Sequence, residues 1–227
     1  MNRLLITLLA ILSASCEGIL DGIYDEVPEV SSFNEGFHVS GIPNHLTLQL
    51  DATSYDEWIY VDLHTQTIER KPIPRTLTNT WDGKSGLTYQ QLEGNQFTPL
   101  SFKPTDVQEE PISWDLAIHH FDVRTNGGRA SCEGSAAQTD VWSDHQAIVD
   151  MKEMMAYRIG YQNTMINPVL SSWITMDISS PPPTYTASGK TYVLEMADGS
   201  KAQIKLISYF NDRGVKGYLT IDIVYPL

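Results

Sequence analysis

The side chains of this chain that could hold a metal or shuttle a proton are few and scattered. His119 and His120 stand side by side within the stretch from Ile112 to Gly128. Adjacent residues on a strand point to opposite faces, so the two imidazoles could not share one metal without a bulge. One is expected to be packed or hydrogen-bonded and the other exposed. Asp122 and Arg124 would share a strand face and could pair. Three methionines add soft thioether donors: Met154 and Met155, adjacent in sequence, and Met176. Ala147, Ile148, Met151, Met154, Met155 and Arg158 recur at spacings of three and four, which predicts a helix over Asp144–Tyr161 with the methionines in its core-facing stripe. Met176, at the end of an expected strand, reads first as packing. The chain contains no His-Glu-x-x-His, no cysteine cluster and no Gly-x-Ser-x-Gly. No motif therefore points to a hydrolase, and the chain is not expected to be an enzyme.

The elements that would position these groups are strands. Trp114, Leu116 and Ile118 would lie on one face of a strand, and Ala117, His119, Phe121 and Val123 on the other. Two apolar faces predict burial on both sides from Trp114 to Val123. Asn126-Gly127-Gly128 tolerates positive φ and should reverse the chain. Leu46–Leu50 alternates as a half-buried strand, and Trp58–Leu63 is rich in aromatic and β-branched residues. Arg70–Pro111 reads as short strands and loops, Gly134–Asp140 as a loop, and Ser171–Met176 as a strand. Ser179–Pro183, with three consecutive prolines, must be an irregular loop. The C-terminal part reads as a three-strand meander: Thr191–Met196, a hairpin turn at Asp198-Gly199, a strand with Ala202, Ile204, Leu206, Ser208 and Phe210 inward, a turn at Asn211–Gly214, and Tyr218–Tyr225. The expected fold class is mainly β, a single antiparallel β domain with one or two short helices.

Of the 227 residues, 41% are hydrophobic, enough for one sizeable core, and the net charge is −13. Such a surface should repel nucleic acid and anionic headgroups, so no nucleic-acid partner is expected. Residues 1–15 read as a signal peptide: Arg3 comes first, then the apolar run Leu4–Leu12, too short to span a bilayer, then small residues. Ser13-Ala14-Ser15 ahead of Cys16 resembles a bacterial lipobox, with Ser13 where Leu is commoner. This implies lipidation of Cys16 and attachment through lipid alone. Residues 16–45 are then the lipidated cysteine and an acidic tether, with Glu17, Asp21, Asp25, Glu26 and Glu29 near its start. If Cys16 is modified, Cys132 is left as a small packing residue and no disulfide framework forms.

Trp114-Asp115-Leu116-Ala117-Ile118-His119-His120-Phe121-Asp122-Val123-Arg124-Thr125-Asn126-Gly127-Gly128 resembles the central motif of the HmuY family, haem-binding lipoproteins of Bacteroidota. The likeness runs from about Leu48 to Leu227 and includes Asp51–Tyr60, Pro182-Pro183-Thr184-Tyr185 and Gly217–Asp222. It implies an HmuY-like haem-binding domain over 46–227, at the outer membrane and cell surface. There it would capture haem (heme b) from host haemoproteins and pass it to a TonB-dependent outer-membrane haem receptor. Family members hold haem between two axial side chains, His-His in some and Met-Met in others. The region of the first Met falls on Met154-Met155. The second Met position falls on Pro181 and the His-type position near Ile178, neither of which can ligate. Met176, two residues before Ile178 and so on the same strand face, is the nearest replacement. Tyr157, Tyr161, Tyr185 and Lys190 are candidates to line the pocket or anchor the propionates. The departure at Pro181 favours an alternative: a structural or adhesive surface lipoprotein that keeps the fold and binds no haem.

Overall fold

Alternation of apolar residues along the C-terminal strands and the strands near the N-terminus already demands a sheet with one buried face, and that sheet is the largest element of the domain. The structure is a computed structural model. It describes residues 33–73, 77–78, 87–93, 96–101, 103–104, 108–153, 156–179 and 182–227. Among these the strands are, in chain order, β1 Gly36–Val39, β2 His45–Asp51, β3 Glu57–Asp62, β4 Thr67–Pro72, β5 Leu77–Thr78, β6 Leu87–Glu93, β7 Gln96–Ser101, β8 Lys103–Pro104, β9 Leu116–His119 and β10 Asp122–Thr125. They continue with β11 Arg129–Cys132, β12 Gln138–Thr139, β13 Val141–Glu153, β14 Ala156–Ile166, β15 Ile174–Asp177, β16 Thr184–Ala187, β17 Tyr192–Glu195, β18 Lys201–Phe210 and β19 Lys216–Val224. A single 3-10 turn, Leu170–Trp173, precedes β15. The fold is mainly β and its strand pairings are antiparallel.

The seven-stranded sheet has the order β1-β2-β19-β18-β17-β11-β12. Leu46, Leu48 and Leu50 of β2 point to its buried face beside Leu219, Ile221 and Ile223 of β19. The four-stranded sheet β10-β9-β3-β4 contributes Ile59, Val61, Leu116, Ile118 and Val123 to the same apolar cluster. One core thus joins the two sheets. A third sheet, β13-β14-β6-β7, and the two-stranded pairs β15-β16 and β5-β8 complete the described residues.

The meander β17-β18-β19 forms as expected, with Gly199 at φ +86° in its first turn. The compact unit starts at Phe33, and β1 pairs with β2 ahead of Leu46, inside the stretch read as tether.

Four sequence expectations are corrected. Asp144–Tyr161 is not helical: β13 and β14 form a hairpin, and β14 also pairs with β6. Two bulges in β13, between Gln146 and Ile148 and between Met151 and Glu153, each insert one residue. Every insertion shifts the two-residue period by one, and the resulting mixed spacing imitates a helical stripe. Trp114–Val123 is not one strand either. Asp122 pairs directly with His119, so the chain reverses at His120-Phe121, with His120 at φ +56°. No Gly or Asn marks that turn. The 3-10 turn occupies the start of the strand expected over Ser171–Met176, where Asn167 Oδ1 accepts the N–H groups of Val169 and Leu170. In β18, irregular pairing after Leu206 makes Tyr209 the buried residue in place of Phe210.

Candidate functional site

The signature stretch is arranged by the four-stranded sheet. Tyr60, Ala117 and Arg124 lie in one row across β3, β9 and β10, on the face opposite Ile59, Ile118 and Val123. Cross-strand neighbours on one face interact directly, and the small Ala117 lets Tyr60 and Arg124 meet over it. The Arg124 guanidinium donates to the Tyr60 hydroxyl and lies 2.9 Å from Glu110 Oε1. It sits 4.7 Å from the Trp58 ring and 5.2 Å from the rings of Tyr60 and Trp114. An arginine in that position is a cation held among aromatic faces. Burial pushes the Tyr60 phenol up to about 12, with the Arg124 charge partly opposing the rise. Arg124 thus serves this box through Tyr60 and Glu110.

Beyond the box the stretch ties loops together. Asp140 accepts from the Thr125 N–H and hydroxyl, at 2.6 and 2.8 Å, and from Asn167 Nδ2 at 3.0 Å. Asn126 Nδ2 donates to the Trp114 carbonyl. A Cβ on Gly128 would stand 2.8 Å from the Glu195 carbonyl oxygen, so only glycine lets β17 approach this closely.

Both histidines of the stretch are buried, which corrects the expectation of one exposed ring. His119 Nε2 lies 3.2 Å from the Tyr55 carbonyl, and the Tyr55 and His120 ring centroids are 3.5 Å apart. They are 1% and 8% exposed, and His119 Nδ1 and His120 Nε2 are buried.

The hairpin β15-β16 is different. Met176 is 46% exposed and stands directly opposite Tyr185. The two side chains share a face, because antiparallel partners do. The Tyr185 ring lies 5.3 Å from Tyr209 and 6.2 Å from Phe121. Lys216 Nζ sits 4.8 Å above the Tyr185 ring and 3.4 Å from its hydroxyl. Burial raises the pKa of Tyr209, and the neighbouring Tyr55, Tyr185 and Asp122 add to the rise. A half-open thioether therefore borders an aromatic wall with one ammonium group. A soft donor, aromatic rings and one cation thus occur together at this hairpin. The sequence flagged Met176 and Tyr185 but not Phe121, Tyr209 or Lys216; the inward phase of Tyr209 was hidden by the irregularity in β18.

Met154, Met155 and Pro181 lie outside the described residues, as does Cys16. Tyr157 and Tyr161 lie on β14. Lys190 is exposed, in the loop before β17. Ile178 is 72% exposed, one residue past the end of β15.

The sequence model of the HmuY protein family matches residues 54–223. The chain belongs to the HmuY family. Its structure is similar to that of a Bacteroides vulgatus protein described as HmuY-like and heme-binding, with 31% identity, a TM-score of 0.65, and coverage of 86% of this chain and 99% of that one. It is also similar to a Bacteroides fragilis protein described as a lipoprotein, with 31% identity, 87% and 98% coverage and a TM-score of 0.63. An apo HmuY analog from Tannerella forsythia matches at 26% identity, over 78% of this chain and 93% of its own, with a TM-score of 0.59. No curated relative matches significantly. No helix among the described residues is long and apolar enough to cross a membrane.

Proposed function

We propose that this HmuY-family chain is a cell-surface lipoprotein, anchored through Cys16, that captures haem and hands it to a TonB-dependent outer-membrane receptor. The observation that carries this reading is the family match over residues 54–223, which embraces both the signature stretch and β15-β16. The near-complete coverage of the Bacteroides vulgatus heme-binding protein supports it. The work is binding and release, with no chemical step.

Met176, with Met154 or Met155, would supply the axial sulfurs, and Tyr185 a wall of the pocket. When bound, haem contributes an iron centre that accepts one or two such donors. The part of Met176 is to offer a neutral thioether beside Tyr185. Neutral, polarisable sulfur favours ferrous over ferric iron, so affinity should rise on reduction.

Titration of the protein with haemin, with and without dithionite, tests this. The expected result is a Soret shift that sharpens on reduction and is lost in the triple variant Met154→Ala, Met155→Ala, Met176→Ala. A shift that survives in the triple variant would overturn the ligand assignment. If the wild type gives no shift in either state, haem binding itself is wrong. The non-binding surface module suggested by Pro181 then becomes the better account.

A further inference from the structure

His64 lies just past β3, in the turn to β4, and each of its ring nitrogens faces a carboxylate. Nδ1 is 3.2 Å from Asp115 Oδ2, and Nε2 is 3.0 Å from Asp198 Oδ2. The two carboxylates come from separate places. Asp115 precedes β9, beside the four-stranded sheet, and its Oδ2 also accepts the Leu63 N–H at 2.7 Å. Asp198 sits in the β17-β18 turn of the seven-stranded sheet, where its Oδ1 accepts from the N–H and hydroxyl of Ser200. A neutral imidazole carries one N–H and can donate to only one of these carboxylates, whereas the imidazolium donates to both.

We propose that His64 is a proton-operated clasp: charged, it ties the β3-β4 turn and the segment before β9 to the β17-β18 turn, and on losing its proton it releases one side. A cavity of about 310 Å³ lies at this junction, lined by His64, Ile112, Trp114, Asn126, Met196 and Asp198 among others. The clasp therefore bridges residues of both sheets across a gap that packing does not fill.

Among the described residues, charged and polar groups face the ring from several elements. Asp115 and Asp198 contact it directly, and Ser200 Oγ lies 3.4 Å from Nε2. From the end of its own strand, Asp62 brings a carboxylate oxygen within 4.8 Å of the group. The Tyr225 ring, from the segment after β19, stands 5.3 Å away. Desolvation works against the charged ring, but Asp115 and then Asp198 outweigh it, and the pKa is raised above its usual 6.5. A folded-state pKa above the unfolded one gives a contribution that is complete below about pH 6.5 and fades as pH climbs through the folded value. Asp198 sets the acid limit. Ser200 and then His64 hold its carboxyl below the usual range, so its part is kept in mild acid and lost as pH falls through its own folded value. The clasp is shut in mildly acidic conditions and slack in alkaline ones.

NMR of the His64 ring protons in the full chain, from about pH 5 to about pH 9, tests the proposal alongside amide-exchange protection of the turn at Asp198–Ser200. The Asn211–Gly214 turn serves as the internal reference. The expected His64 midpoint lies above 6.5 and drops in Asp198→Asn. Protection of the Asp198 turn should fall about two- to fivefold as pH crosses that midpoint, the scale of exposed ion pairs. In His64→Gln the turn should stay weakly protected at every pH. A wild-type midpoint at or below 6.5, or protection that merely tracks the reference turn, overturns the clasp. So does a transition that EDTA abolishes or added Zn²⁺ shifts, because the side chains would then be metal ligands.

Discussion

Two stretches of this domain invite comparison: the signature from Trp114 to Gly128, and the hairpin β15-β16. In the first, most side chains are buried and committed. Arg124 is enclosed by three rings, Thr125 is held by Asp140, and Gly128 admits β17. In the second, Met176, Ile178 and the threonines around them stand open, while Ile174, Tyr185 and Ala187 are anchored inward. The part of the chain that most plainly marks its family therefore builds a joint, while the hairpin proposed to meet the ligand is a small separate pair of strands.

Substitutions should separate the two stretches. The largest effect is expected at Trp173, which is 1% exposed and donates its indole N–H to the Phe121 carbonyl at 2.8 Å. Trp173→Ala should lower unfolding free energy by about 4 kcal/mol in urea melts, combining a cavity with a lost hydrogen bond. Next comes Arg124→Met. It takes the Arg124 donor from the buried Tyr60 hydroxyl and removes the cation from the aromatic faces, at a cost of about 2–3 kcal/mol by the same measurement. If Arg124 served the ligand and not the joint, stability would hold and haemin affinity would fall.

The same box gives a pH signature. The folded Tyr60 pKa of about 12 exceeds the usual phenol value of 10.0, so its contribution is full below pH 10. It is lost as pH rises through about 12. Ultraviolet titration should show this tyrosine ionising late, and Arg124→Met should move that late step. The smallest stability effect is expected at Met176→Ala, within about 0.5 kcal/mol for a half-exposed side chain. Its Soret band should nonetheless change, which is the reverse of the Trp173 pattern. Equal stability losses at Met176 and Trp173 would erase the contrast.

What was legible in the sequence follows the same division. Alternation made β2, β17 and β19 readable, because each has one buried face and no interruption, while β3, buried on both faces, was marked by its aromatic and β-branched residues. Asn126–Gly128 and Asp198-Gly199 announced their turns through residues that accept positive φ. The reversal at His120-Phe121 was not announced, since a histidine at φ +56° carries no turn signal and is held there by tertiary contacts such as the Tyr55 ring. The β13-β14 hairpin was read as a helix because two insertions broke its period. At the candidate site, Met176 and Tyr185 could be named from the family likeness. Phe121, Tyr209 and Lys216 reach them only through tertiary packing.

Those insertions in β13 matter beyond their effect on pattern reading. Among the described residues β13 is the outer strand of its sheet, thirteen residues long. A straight margin of that length would offer a continuous ladder of amide and carbonyl groups on which another copy could grow. Two extra residues kink the margin and break the even spacing such growth needs. That irregularity is protection against edge-to-edge stacking of copies into fibres.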